Sequence, residues 1–120
     1  MPRYSETLLE HARAPRNGGE MPDAHAVGTA DLDGRAPRIW LYVKKSGGRI
    51  THASFQAFGC GVTNACCSVL TELITERSLV DCRKLTARDL VSALDGIPED
   101  KRFCADLAIK ALTRILAGGD

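Results

Sequence analysis

The cysteines are the side chains of this chain best suited to metal or redox chemistry. Five are present, and all lie in the second half of the sequence, at Cys60, Cys66, Cys67, Cys82 and Cys104. An odd number, in a chain whose first residues do not form a signal-peptide pattern, argues against a disulfide framework. The composition therefore favours reduced thiols with a metal-binding or redox role.

Cys60 occupies the most distinctive position, between Gly59 and Gly61, where a strand pattern changes to a helix pattern. Glycines allow a sharp turn and leave the sulfur unshielded, and the amides that open the helix favour the thiolate. Cys104, near the start of the last predicted helix, is the second candidate. Two converging thiolates would form half of a tetrahedral metal or iron–sulfur site. Since free cysteines are often buried, spacing alone also allows a structural role.

The elements that must position these sulfurs follow from periodicity and from turn residues. The expected elements are a helix from the Ser5 cap to about Ala14, strands over Ala24–Ala30, Arg38–Lys45 and Arg49–Phe58, a helix from Val62 to about Arg77, short helices starting at Ser78 and Thr86, and a helix from about Glu99 to Leu116 that Gly118 and Gly119 end. This order predicts one α+β domain over residues 1–120, an antiparallel sheet of about three strands with helices on one face.

The overall charge and hydropathy exclude several other classes of function. Formal net charge is +1, with acids and bases interspersed, which argues against nucleic-acid or membrane-surface binding through bulk charge. No apolar run reaches the length of a membrane span. The stretch from Met1 to Glu6 lacks the apolar core of a signal peptide, so a cytoplasmic location is expected.

A set of short motifs, in order along nearly the whole chain, resembles the IscU/NifU family of iron–sulfur cluster assembly scaffolds. The motifs are Tyr4-Ser5-Glu6, His11, Pro15-Arg16-Asn17 with Gly19, Phe55 with Phe58-Gly59-Cys60-Gly61, Ser78-Leu79, and Lys101 with Cys104 and Ala108-Ile109-Lys110-Ala111. The resemblance implies a non-enzymatic scaffold that accepts sulfur from a cysteine desulfurase. It would assemble a cluster, most simply [2Fe-2S], and pass it to recipient apo-proteins.

Three features depart from the family pattern, in which three cysteines, an aspartate and a histidine surround the cluster. Cys60 and Cys104 match the second and third family cysteines, but residues 33–38 contain neither the first cysteine nor its Cys-Gly-Asp triplet. Phe103 stands where the family has histidine. The family's chaperone-recruiting Leu-Pro-Pro-Val-Lys segment is reduced to residues 97–101, which argues against chaperone docking. The chain is thus a divergent member with an incomplete ligand set.

A carboxylate from the shortened loop is the expected substitute for the missing cysteine, with Asp33 first and Asp31 second, although Asp33-Gly34 also fits an ordinary turn. Cys67 lies about two helical turns, roughly 10 Å, beyond Cys60, too far to share one metal ion easily. Cys66 falls on the apolar stripe of the Val62 helix, and the tendency of free cysteines to be buried favours core positions for Cys66, Cys67 and Cys82. A partner's residue or the other protomer of a homodimer could also supply a ligand, and purified protein could carry zinc at such a site.

Two other functions remain open. In one, Cys60 carries a persulfide and relays sulfur from the desulfurase with no cluster. In the other, the chain is a non-catalytic adaptor or regulator of the desulfurase, which the lost ligands favour and the retained Cys60 and Cys104 oppose.

Overall fold

The computed structural model describes residues 3–118 and contains a three-stranded sheet with several helices. The elements are α1 (Glu6–Arg13), β1 (Ala26–Leu32), β2 (Arg35–Ser46), β3 (Arg49–Phe58), α2 (Gly61–Ile74), α3 (Leu79–Cys82), α4 (Ala87–Ala93) and α5 (Arg102–Ala117), with a 3-10 turn, Glu99–Lys101, leading into α5. Met1 of the N-terminal stretch and Gly119 of the predicted helix end lie outside the described residues. No helix within residues 3–118 is both long and apolar enough to cross a membrane.

The strands form an antiparallel meander in the order β1-β2-β3, and α2 and α5 pack against one face of it. This confirms the predicted α+β architecture. Strand residues on the helix-facing side are buried, namely Ala30, Ile39, Leu41, Val43, Ala53 and Phe55. Helix α5 approaches β1 very closely, because a Cβ added to Gly28 would lie 2.1 Å from the Ala111 carbonyl oxygen. The opposite face stays partly open, with Phe58 stacked edge-on against Trp40.

The turn between β1 and β2 is shorter than the sequence pattern suggested. Asp33 and Gly34 are its two central residues, with φ of 53° and 79°, so β2 begins at Arg35 instead of Arg38. Two consecutive positive φ values are typical of a type I′ hairpin, which Asp-Gly favours. The predicted loop is therefore a tight hairpin turn. It lies at the same end of the sheet as Phe58, which pairs with Arg38 at the end of β3.

Helix boundaries follow the capping residues. Ser5 and Ser78 accept hydrogen bonds from backbone amides three residues on, and Thr86 forms a capping box, as predicted. Helix α2, however, ends at Ile74 and not near Arg77. The residues beyond it pair with the start of β3, since Ile50 exchanges backbone hydrogen bonds with Glu76 and Arg77. The chain leaves the helix to extend the hydrogen bonding of the sheet.

Candidate metal and sulfur site

Cys60 lies at the junction of β3 and α2, as the glycines around it predicted. It is the N-cap residue of α2, with extended backbone angles (φ −86°, ψ 178°), and its side chain is half-buried. Gly59 is required just before it, because a Cβ there would lie 2.7 Å from the Thr63 hydroxyl oxygen and 3.1 Å from the Pro37 Cβ. The close packing of β2, β3 and α2 at Gly59 therefore fixes where the sulfur sits.

Thr63, one turn into α2, connects the two candidate thiols. Its Oγ1 atom lies 3.7 Å from the Cys60 Sγ and 3.3 Å from the Cys104 Sγ. The Cys60 thiol is also near enough to Cys104 to raise the pKa of Cys104. Helices α2 and α5 thus bring together two sulfurs that are far apart in sequence. Thr63 is fully buried, so its hydroxyl is held in this position by packing.

The two thiols differ in electrostatic surroundings. Partial burial acts to raise the pKa of Cys60, but the amides of Thr63 and Val62, the Thr63 hydroxyl and the Lys101 ammonium together hold this pKa below its ordinary value. The Cys60 thiol makes no capping hydrogen bond. The amides at the start of α2 therefore lower its pKa through their positive electrostatic potential, which stabilises the thiolate. Cys60 is the thiol here that ionises more readily.

Cys104 is fully buried in the first turn of α5. Burial raises its pKa to about 11, and the nearby Cys60 adds to the rise, while the Thr63 hydroxyl and Lys101 oppose it. Lys101 therefore favours both thiolates. Because Cys104 has no exposed surface, reagents from solvent reach the pair through Cys60.

A small, largely apolar cleft leads to Cys60 from the side of α1. Its volume is about 160 Å³, and it is lined by Tyr4, Leu8, Leu9, Ala12, Cys60, Gly61, Val62 and Lys101. The cleft is large enough for a small side chain or a few water-sized groups. Helix α1 therefore shapes the approach to the sulfur.

The proposed third ligand, Asp33, is exposed in the β1–β2 turn. Asp31 is engaged locally, since its Oδ1 accepts a hydrogen bond from the Gly34 amide at 2.7 Å. Across residues 3–118 no group of three or more His, Cys, Asp and Glu side chains is arranged to hold a metal ion. The structure thus brings Cys60 and Cys104 together, whereas Asp33 remains a predicted ligand at the same end of the sheet.

The remaining cysteines belong to the core, as predicted. Cys66, Cys67 and Cys82 expose at most 1% of their surface. Burial raises the pKa of each thiol, most strongly for Cys66 and Cys67. These thiols stay neutral and are poor ligands or nucleophiles in the folded chain.

A buried polar cluster holds α1 against α2, and so shapes the cleft indirectly. The His11 Nδ1 lies 2.7 Å from the Ser68 hydroxyl, which also accepts a hydrogen bond from the Arg16 amide at 2.8 Å. The His11 Nε2 lies 3.6 Å from a Glu72 carboxylate oxygen. Ser68 has no exposed surface, so a nucleophilic role is ruled out. The cluster gives His11 a structural role in packing α1 against α2.

Sequence reasoning missed Thr63, the residue that contacts both sulfurs. The available signal was its position in the first turn of α2, three residues after Cys60, where a side chain can fold back on the N-cap. Its contact with Cys104 depends on how α5 packs, which no local pattern reveals.

The chain is similar to known proteins over most of its length. Residues 3–117 match the family model described as "NifU-like N terminal domain". The chain is 34% identical over 113 residues to iron–sulfur cluster assembly scaffold protein IscU 1 of Archaeoglobus fulgidus, covering 94% of this chain and 74% of that protein. It is 32% identical over 111 residues to the scaffold IscU of Aquifex aeolicus, covering 91% and 71%. The crystal structure of FiSufU from Fervidobacterium islandicum AW-1 shares the fold, with a TM-score of 0.79 at 19% identity, covering 94% and 96%.

Proposed function

The chain belongs to the NifU-like N-terminal domain family, and from that premise we propose that it is an iron–sulfur cluster assembly scaffold that binds its cluster through Cys60 and Cys104. The observation that carries the assignment is the contact of both sulfurs with one buried hydroxyl, that of Thr63. Thiolates are the ligands that iron–sulfur clusters favour. Two of them beside one hydroxyl, with Cys60 half-buried and open to a cleft, fit a cluster that must be assembled and then released.

The positive surroundings of Cys60 suit it to bind first. The amides at the start of α2 and the Lys101 ammonium stabilise its thiolate, and a metal ion would stabilise the Cys104 thiolate in turn. Because Cys104 is buried in the first turn of α5, we expect this turn to shift when both sulfurs bind iron. A scaffold whose second ligand is released by such a shift would hold its cluster loosely.

Asp33 is the proposed third donor. The β1–β2 turn lies at the end of the sheet where β3 leads into Cys60, and Pro37, only a few residues after that turn, packs beside Gly59. The exposed carboxylate of Asp33 is free of local hydrogen bonds to the turn, which engage Asp31 instead. An oxygen ligand would make the cluster more labile than a full set of thiolates would. Zinc, with two thiolates, an oxygen and water, would also suit this set.

The proposed partners follow from the scaffold role. A cysteine desulfurase would supply sulfur at Cys60 through the cleft beside α1, and apo-proteins would receive the cluster. The segment corresponding to the family's chaperone motif is not presented as a continuous surface, because Ile97 is buried. We therefore expect transfer without a dedicated chaperone. A second copy of the chain remains the alternative source of the missing ligand.

Anaerobic reconstitution with ferrous iron and sulfide tests the assignment. We expect visible charge-transfer absorption in the native chain, and loss of most of it in Cys60→Ser and in Cys104→Ser, because each variant removes one of two thiolate ligands. Asp33→Asn should still assemble a cluster but lose it several-fold faster to a chelator.

Cys82→Ala is the matched control, since Cys82 is buried in α3 and its loss removes no proposed ligand. It should reconstitute as the native chain does. A native chain that stays colourless, alone and with a cysteine desulfurase, would contradict the cluster role and favour an adaptor. Equal absorption in Cys60→Ser and the native chain would assign the cluster to other residues.

A further inference from the structure

Cys60 and Cys104 differ in exposure in a way that cluster binding does not require. Cys60 is half-buried and faces the cleft beside α1, whereas Cys104 has no exposed surface. A sulfur donor can therefore reach Cys60 alone. Anything attached to the Cys60 sulfur is then formed near a second thiol, because both sulfurs contact the Thr63 hydroxyl. This is the arrangement of an attacking and a resolving cysteine.

We propose that Cys104 resolves a persulfide formed on Cys60 and thereby releases sulfide inside the assembly site. The inference rests on the proposed function, because it concerns the form in which sulfur enters the cluster. The geometry that carries it is the pair of sulfurs held against the Thr63 hydroxyl, 3.7 Å and 3.3 Å away. It gives the chain a sulfide-producing step that needs no other thiol to release the sulfur.

The chemistry balances without an external oxidant. A donor persulfide first transfers its outer sulfur to the Cys60 thiolate, which gives a Cys60 persulfide and the donor thiolate. The Cys104 sulfur then attacks the Cys60 Sγ, the Sγ–S bond to the outer sulfur breaks, and a Cys60–Cys104 disulfide forms. The proton of Cys104 passes to the leaving sulfur, which departs as hydrogen sulfide. Over the two steps, the two sulfurs of the donor persulfide each gain one electron, and the Cys60 and Cys104 sulfurs each lose one.

The contacts in the free thiols favour attack on the inner sulfur. Cys104 and the Cys60 Sγ both lie against the Thr63 hydroxyl, at 3.3 Å and 3.7 Å, so the bond that would form joins two sulfurs held beside one side chain. The outer sulfur of a persulfide would extend from Cys60, whose accessible side is the cleft, the direction from which donors arrive. Thr63 acts as a positioning residue, since its hydroxyl contacts both sulfurs. A dithiol reductant must then reduce the disulfide before the cysteines can bind iron.

Intact-protein mass spectrometry and a sulfide assay test the step with a low-molecular-weight persulfide, glutathione persulfide, as the sulfur donor. After brief loading and removal of the donor, Cys104→Ser should keep an added mass of about 32 Da, one sulfur atom, on Cys60. The native chain should lose that mass at least about tenfold faster, release sulfide, and end about 2 Da lighter than the reduced protein. Peptide mapping should find Cys60 joined to Cys104.

Matched variants separate the outcomes. Cys82→Ala should behave as the native chain does, and Cys60→Ser should take up no sulfur. Equal persulfide lifetimes in the native chain and Cys104→Ser would overturn the proposal, as would a persulfide transferred intact to Cys104. Absence of any persulfide on Cys60 would overturn it as well. Reconstitution with inorganic iron and sulfide bypasses the persulfide, so it judges the scaffold role independently of these results.

Discussion

Helix α2 presents cysteines in two contrasting surroundings. At its N-terminal end Cys60 is half-buried, and its pKa lies below the ordinary value despite partial burial, because amides, a hydroxyl and Lys101 favour the thiolate. In the middle of the same helix, Cys66 and Cys67 are fully packed, and burial raises the pKa of both thiols. The contrast teaches that the helix end and the packing around it, not the residue type, decide which thiol can do chemistry.

Thiol alkylation under native conditions should reveal the largest difference between the two regions. Cys60 should react with iodoacetamide in the folded chain. Cys66 and Cys67 should react on the order of 10³-fold more slowly, because they become accessible to the reagent only through substantial unfolding. Peptide mapping after a time course measures the rates. In urea sufficient to unfold the chain, all three should react at similar rates. Rapid native labelling of Cys67 would remove the contrast.

Adding a methyl group at the glycines beside Cys60 should have a smaller effect. It should destabilise the fold at Gly59 and leave stability nearly unchanged at Gly61. Gly59→Ala should cost about 1–3 kcal/mol and disturb the site, because its Cβ would lie 2.7 Å from the Thr63 hydroxyl and 3.1 Å from Pro37. Gly61→Ala should be near neutral, since its Cβ would lie 3.4 Å from the Ala12 Cβ and alanine suits the first turn of a helix.

Urea denaturation measures the stability of both variants, and reconstitution with iron and sulfide measures the site. If Thr63 positions the sulfurs, Gly59→Ala should lower cluster yield more than Gly61→Ala at matched folded fraction. Equal behaviour of the two variants would mean that the close contact at Gly59 does not control the site.

Much of this contrast could be predicted from the sequence. The glycines, and the change from a strand pattern to a helix pattern of apolar residues, predicted Cys60 at the start of a helix. The apolar stripe of α2 predicted Cys66 in the core. Cys67 was expected in the core from burial tendencies alone, because the stripe does not include it. The structure shows that α2 is covered on most sides, by α1, β3 and α5. Local patterns describe one helix face well but not how many neighbours surround it.

The parts of the site that the sequence left open depend on contacts between distant segments. The Thr63–Cys104 contact joins α2 to α5, and no spacing rule links them. The turn at Asp33 was misjudged in length because an Asp-Gly pair fits both a loose loop and a two-residue hairpin, and only the register of β1 against β2 decides. Strand register and helix docking, both set by tertiary packing, thus supplied what local patterns did not.

The smallest effect expected concerns the charge of Lys101. Its ammonium is the last of the groups that lower the pKa of Cys60, after the amides and the Thr63 hydroxyl. Since the thiolate is the reactive form, alkylation of Cys60 should accelerate with rising pH and reach its half-maximal rate below the pH typical of a free cysteine. Lys101→Met keeps most of the apolar stem that lines the cleft but removes the charge, so it should move this midpoint upward. Lys84→Met, which changes an exposed lysine paired with Asp81, should leave the midpoint unchanged. A midpoint unmoved by Lys101→Met would show that the backbone amides and Thr63 alone lower the pKa of Cys60 relative to the buried thiols Cys66 and Cys67.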